Sequence, residues 1–583
     1  MHDLVIRGGQ VVDGTGAPAR QADIAIAGER IVEVGKVEGA GRREIDASGH
    51  IVTPGWVDIH THYDGQVTWD PMLSPSCWHG VTTAVMGNCG VGFAPARPDR
   101  RDWLIGLMEG VEDIPGSALA EGIRWGWESF PEYLDVLDRM PRVLDVAAQA
   151  PHGSIRAYVM GERGARNEVA NAEDIAAMAR IVREALDAGA VGFSTSRTQL
   201  HRAKDGEPVP GTFAGADELL GIGEAMAEAG HGVFEMASDL TPALDEFAWM
   251  KALALRTGRP VTYALLQSPL PDPTAQDNWR DMLRLTREAR AQGAAITAQI
   301  ACRPTGLVLG WQSTVHPFMT RPSYMAIAEL PFAERLARLK DPTVRAAILS
   351  ESPPPMPGIG MILMSGYDRM FRLEQPDGVL DYEPPAEASV AAQARRSGRA
   401  PDAIVYDMLM EKDGRGYIYL PLLNYAKFNF DHILEMMGDE ATVLSLSDGG
   451  AHCGVICDAS FPTYMLSYWT RDRQRGPTLP LEKVVSMQTR DTARLYGFKD
   501  RGILAPGLKA DLNLIDYDAL SILAPEMVFD LPAQGRRMVQ RAKGYRATIV
   551  SGQVTFEHGE ATGVLPGRLV RGRRTDRPAM AAE

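Results

Sequence analysis

The amino-acid sequence predicts an α/β protein: a (β/α)8 TIM-like barrel joined to a small β-sandwich domain built from both chain ends. Three observations lead there. The two ends are alike in kind, each a set of short alternating strands joined by glycine turns. The middle repeats helix, glycine and strand many times over. Polar residues recur at the ends of successive strands rather than at one crevice, which favours a closed barrel over an open doubly wound sheet.

The N-terminal stretch reads LVIRGGQVVDG and then ADIAIAGERIVEVG, and near the other end come ADLNLIDYDAL, RATIVSGQVTFEHGE and LPGRLVRG. Such strands are too short to bury an apolar face alone, so residues 1–54 and 503–575 are expected to complete one β domain together. The segment RRTDRPAMAAE beyond them reads as a frayed tail.

Residues 55–502 then form the barrel. AEDIAAMARIVREALDAG is an amphipathic helix stopped by glycine and followed by the strand AVGFSTS; ELLGIGEAMAEAG precedes HGVFEMASD, DEFAWMKALALRTG precedes RPVTYALL, and DMLRLTREARAQG precedes AAITAQI. This is the pattern of βα units on one parallel sheet. An irregular, Pro-rich insertion around residues 350–400, beginning ESPPPMPGIG, is expected over the barrel mouth.

Composition narrows the function classes. The net charge of -15 opposes a nucleic-acid or anionic-membrane surface as the main activity. No run of about 18 apolar residues suggests a membrane span, and the N-terminus has no secretory pattern. Five cysteines, odd in number and widely spaced, make no disulfide framework. The expectation is a cytoplasmic enzyme acting on a small molecule, with self-association into a homo-oligomer left open. No GxSxG elbow offers a serine nucleophile, and the glycine-rich GIGEAMAEAG lacks the surroundings of a nucleotide site.

The chemistry concentrates in VDIHTHYDG, where Asp58, His60 and His62 alternate and would share one face at the end of the first barrel strand. Two neighbouring imidazoles can hold a zinc ion; a hydrogen-bonded polar pair is the plainer alternative. Cys89 follows the apolar strand VTTAVM, where a thiolate would suit zinc and a buried inert thiol is the rival. Asp448 follows TVLSLS, placed either to take a proton from water or to cap a turn.

TPGWVDIHTHYDG, GVTTAVMGNCGVGFAP, MEGVEDIPG, AVGFSTS, LSDGGAHC and MQTRDTARLYGFKDRGILAPGLKADLNLID together resemble the N-acyl-D-amino-acid deacylase (D-aminoacylase) branch of the amidohydrolase superfamily. The resemblance implies a metal-dependent hydrolase barrel that cleaves the linear amide of an N-acylated D-amino acid. It places His60, His62 and Cys89 as metal ligands and Asp448 as catalytic aspartate and further ligand. It also implies two histidines on middle strands that here read GVFEMASDL and PVTYALLQ, so one zinc ion is favoured over two. Glu235, Asp239 and Tyr263 are candidates to replace them.

Arg197, His201, His452 and Tyr464 are candidate substrate-binding residues. Arg197 and His201 follow a strand, and an arginine fork could clamp a carboxylate. His452 directly follows the SDGG turn. Tyr464, with Trp69, Phe461 and the PFMTRPSYM segment, would give the mouth an apolar character. The rival functions are a cyclic amidase or dipeptidase of the same superfamily, or a catalytically inactive binding protein on the same barrel.

Overall fold

The computed structural model describes residues 1–240, 243–269, 272–356 and 359–572. The expected frayed tail lies outside them.

Eight parallel strands form one curled sheet. In order they are Trp56–Asp58, Val81–Met86, Asp145–Pro151, Gly192–Arg197, Val233–Ser238, Val261–Ala264, Ile296–Ile300 and Thr442–Leu444. Chain order and spatial order coincide, as consecutive βα units dictate. The ladder does not run between the first and last strands. Their extensions close the sheet instead: Asp448 N–H donates to His60 O at 3.1 Å and His62 N–H to Gly449 O at 2.8 Å.

The intervening helices form because their ends are specified locally. In Ala172–Ala188, Asn171 caps the first turn and exchanges hydrogen bonds with Asp174, while Gly189 ends the helix at φ 115°. The strands between helices are covered on both faces, so Val81–Met86 and Asp145–Pro151 are buried at every position.

Along one face of these strands the character changes over two residues. Ala147, Val233 and Val443 belong to an apolar cluster closed by Ala493, Tyr496 and Phe498 from the segment after the last strand. Two residues further on, the same faces carry Gln149, Glu235 and Ser445. The apolar floor therefore gives way to a polar rim at the C-terminal strand ends, where barrel enzymes keep their chemistry.

The second sheet is mixed and has nine strands. Its N-terminal part, including His2–Val11, Arg20–Ala27 and Ile51–Pro54, joins its C-terminal part through Leu512–Ile515, which pairs antiparallel with Ile51–Pro54. Its core mixes Ile6, Ile24 and Val52 with Leu512, Leu514 and Ile549. Neither end alone supplies that core. Two C-terminal stretches leave this sheet. Glu526–Leu531 pairs with Gly535–Val539 as a hairpin, and residues 566–569 bridge to Arg142 and Val146 on the barrel.

Between the seventh and eighth barrel strands lies an insertion with its own apolar core around Trp311, Phe318, Tyr324 and Tyr406. The irregular stretch around 350–400 is part of it and carries the helices Ile359–Ser365 and Val390–Ser397. The PFMTRPSYM segment sits in this core, with Phe318 5.5 Å from Trp311 between ring centroids, rather than at the barrel mouth. Aromatic rings of that number find more buried area against one another than at a rim. Among the described residues no helix is long and apolar enough to cross a membrane.

Candidate metal centre

The first strand ends at Asp58, and the chain continues extended through His60 and His62 to meet the last strand's extension. Asp58 accepts from His60 N–H and from the Ser447 hydroxyl, stitching the two extensions together. Cys89, Asp448 and His452 all adopt left-handed backbone conformations, with φ of 55°, 47° and 51°. Non-glycine residues reach that region at a cost, and the tight loops here turn these side chains back into the rim.

His60, His62 and Cys89 each offer a donor atom within 4.8 Å of the other two. His60 Nε2 lies 3.3 Å from Cys89 Sγ and 3.4 Å from Asp448 Oδ1, and His62 Nε2 lies 3.5 Å from the same oxygen. Tetrahedral zinc with bonds of 2.0–2.3 Å separates its ligands by about 3.4–3.7 Å. The His60–Cys89, His60–Asp448 and His62–Asp448 spacings match that geometry. On the far side of the first ring, His60 Nδ1 faces Gln299 Oε1 at 2.9 Å, and that oxygen also accepts from Ser445. An acceptor there fixes the proton on Nδ1 and leaves the Nε2 lone pair for a cation.

Charge points the same way. Burial raises Asp58 to about 6, Asp64 to about 7 and Glu235 to about 8. Burial lowers His60 to about 4, whereas at His62 the Glu112 and Asp448 charges outweigh burial and raise it to about 9. Burial, then Glu235, Glu112 and Asp448, push the Cys89 thiol well above its ordinary range. So many acidic groups around one thiol call for a cation, beside which the thiolate forms. At Asp448 burial opposes ionisation, but the His62 hydrogen bond and the charges of His60, His62 and His452 hold the carboxyl well below the usual carboxylate range.

The remaining candidates fall in different places. Glu235 is fully buried at the centre; one oxygen accepts from Cys89 N–H at 3.0 Å and the other stands 3.9 Å from His60 Nδ1. Asp239 caps the loop after the fourth strand, accepting from Thr198 and Gln199. Tyr263 points into the helix layer, bonded to Thr286. Arg197 forks onto Glu246 and donates to Ala214 O, so its guanidinium is committed to that pair. His201 faces Ser196 and is lowered to about 4, by burial and then by the charges of His452 and His62. His452 lies 3.7 Å from Glu112 Oε2. Tyr464 is buried in an aromatic cluster, 4.7 Å from Tyr468 between centroids and 5.1 Å below the Arg303 guanidinium.

Sequence reasoning assigned no role to Glu112, whose carboxylate lies 3.2 Å from His62 Nδ1. The only signal was its place in MEGVEDIPG, and nothing in that spacing says where the helix end will point.

A pocket opens from Asp448. Barrel loops supply Cys457, Asp458 and Ser460; the C-terminal hairpin and the residue after it supply Arg537, Met538 and Gln540.

A curled parallel barrel sheet with an HxH pair, a thiol and a carboxylate at its C-terminal rim is the arrangement of a metal-dependent hydrolase of carbon–nitrogen bonds. The chain belongs to the amidohydrolase family, whose profile matches residues 43–556. It is 36% identical to a D-aminoacylase of Alcaligenes xylosoxydans xylosoxydans over 194 residues, 33% of this chain and 37% of that one. It is 26% identical to an N-acyl-D-glutamate deacylase of the same organism over 579 residues, 98% and 96% of the two chains. Among solved structures it is similar to the N-acyl-D-glutamate deacylase from Bordetella bronchiseptica complexed with zinc and a phosphonate inhibitor. That likeness has a TM-score of 0.63 at 23% identity and covers 98% of this chain and 100% of that one. A D-aminoacylase crystal structure gives the same score, identity and coverage.

Proposed function

We propose that the protein is a zinc-dependent deacylase of N-acyl-D-amino acids with neutral, predominantly apolar side chains. The deacylase reading is supported by likeness to deacylases along nearly the whole chain. One observation carries the side-chain preference: Arg537, the arginine among the described pocket-lining residues, already has a carboxylate partner. Arg537 holds Asp530 with two N–H groups and Ser74 with others. Arg303 lies behind the lining residues Asp458 and Ser460, donating to them and to the Cys457 carbonyl through Nη2, with its guanidinium 4.0 Å above the Tyr382 ring. A second carboxylate on the substrate side chain would face Asp448 and Asp458 without a free cation among the described lining residues. Met538 offers apolar surface instead, worth about 0.8 kcal/mol for each substrate methylene buried.

In this reading His60, His62 and Cys89 hold one zinc ion, which when bound supplies Lewis acidity to the amide carbonyl and the attacking water. Gln299 orients the His60 imidazole through its Nδ1 atom. Asp448, kept ionised by its imidazole neighbours, takes the proton of the attacking water on its carboxylate and returns it to the departing nitrogen. His452, partly exposed and 3.7 Å from Glu112, and the buried His201 remain candidates for contact with the substrate.

Hydrolysis of N-acetyl-D- and L-amino acids, dipeptides of both configurations and cyclic amides, with zinc present, tests the reading. N-acetyl-D-Leu or N-acetyl-D-Met should be cleaved fastest. Preference for N-acetyl-D-Asp or N-acetyl-D-Glu would refute the side-chain assignment, and ring opening alone would refute the deacylase.

A further inference from the structure

Glu112 is the last residue of the helix Arg101–Glu112 and is 1% exposed. The helix stops because Asp113 turns left-handed at φ 51°. Asp113 then accepts from Thr314 and from Gly454 N–H, while the Glu112 carbonyl accepts from His452 N–H. The helix end is thus clamped to the loop that follows Asp448, and its terminal side chain is carried into the metal centre.

There the carboxylate has no lysine or arginine partner among the described residues. Its neighbours are two imidazoles: His62 Nδ1 at 3.2 Å from Oε1 and His452 Nε2 at 3.7 Å from Oε2. Neither oxygen makes an aligned hydrogen bond, and His62 Nδ1 has no other acceptor. A buried carboxylate left so is strongly unfavourable unless a neighbour donates to it. The 3.2 Å separation is within hydrogen-bonding range, so reorientation of the His62 ring would let Nδ1–H donate to Oε1. The two ligand histidines then differ: His60 is backed by a neutral amide, His62 by an anion. An anionic acceptor makes the imidazole a stronger donor at its other nitrogen.

We propose that Glu112 is a positioning residue of the metal centre: it fixes the His62 ring with Nε2 turned toward Asp448, and with its second oxygen it holds His452 at the pocket rim. This rests on the reading that His60, His62 and Cys89 hold a metal ion. No contact of Glu112 with the substrate is required.

Zinc affinity, measured by competition with a chromophoric chelator, tests this without reference to turnover. Glu112→Ala should bind zinc about 10- to 100-fold more weakly than the parent. Glu112→Gln, of the same shape with an acceptor oxygen but no charge, should fall between them. Cobalt-substituted Glu112→Gln should show a shifted visible spectrum, which a residue that only packs would not cause. Metal-free Glu112→Gln should melt within a few degrees of the metal-free parent, so that it reports on the site even if the alanine variant does not fold. Unchanged zinc affinity and an unchanged cobalt spectrum in Glu112→Gln would overturn the assignment while leaving the metal reading intact. A parent protein that binds no zinc would overturn the metal reading, and this inference with it.

Discussion

Replacing Asp448 with Asn separates chemistry from packing at the rim. The carboxylate and the amide are nearly isosteric, so the left-handed turn at φ 47° and the hydrogen bond from Asp448 N–H to His60 O should persist. What is lost is charge. In the metal-free protein Asp448 Oδ1 lies 3.5 Å from Nε2 of His62, the imidazole raised to about 9, where a charged pair at an effective dielectric of about 20 is worth on the order of 5 kcal/mol. In a zinc-loaded protein His60, His62 and Cys89 still supply three donors, so metal should remain bound, though less tightly. Because the native carboxyl titrates well below the usual range, it is ionised at any pH where the enzyme would be assayed. The Asn variant therefore has no proton acceptor at this position at any pH. Loss of a general base lowers turnover by about 100-fold or more, a barrier increase of at least about 2.7 kcal/mol. Steady-state hydrolysis of the best N-acetyl-D-amino acid, alongside zinc content and melting temperature, measures all three effects. Turnover within about tenfold of the parent, with zinc retained, would remove Asp448 from the proton-transfer role.

Other outcomes follow from groups away from the metal. Burial lowers His316 and His432 to about 3, below the ordinary 6.5 of the unfolded chain, so the unfolded state binds more protons as pH falls through 6.5 and stability drops. Each should cost about 2 kcal/mol between pH 7 and 5. His432→Phe, packed against Trp279, should show a visibly smaller fall in melting temperature over that range; an identical fall would refute the assignment. Asp145, on the third barrel strand, is buried against Arg501 and Lys509, which lead into the terminal sheet. Arg501→Met should destabilise by about 3 kcal/mol, read by chemical unfolding, since it leaves the buried carboxylate half-compensated. A shift under about 1 kcal/mol would show that Lys509 suffices. Gly87 sits at φ 80° with space for a Cβ only 2.4 Å from the Gln149 carbonyl. Gly87→Ala should lower both the melting temperature and zinc affinity, because the same loop delivers Cys89; unchanged zinc affinity would disprove that link.

Local pattern determined much of this protein. Alternation of helix, glycine and strand specifies parallel βα units, because each helix end is punctuated by its own cap, as at Asn171 and Gly189. The HTH pair was legible because alternate residues at a strand end share a face, and Cys89 and Asp448 because the motifs around them resemble those of the deacylase branch. Other features depend on contacts between residues far apart in the chain, which no local spacing encodes. The aromatic PFMTRPSYM segment packs into the insertion core because it buries more area there than at the mouth. Arg197, a candidate to hold a substrate carboxylate, pairs with Glu246 49 residues on. Glu112 reaches His62 only because the helix that ends there is clamped onto the His452 loop. The pocket wall with Arg537, Met538 and Gln540 arrives from the far end of the chain. Sequence periodicity fixes which face a residue takes on its own element; only tertiary packing decides which distant side chain meets it, and at this site those meetings set the charge balance and the shape of the pocket.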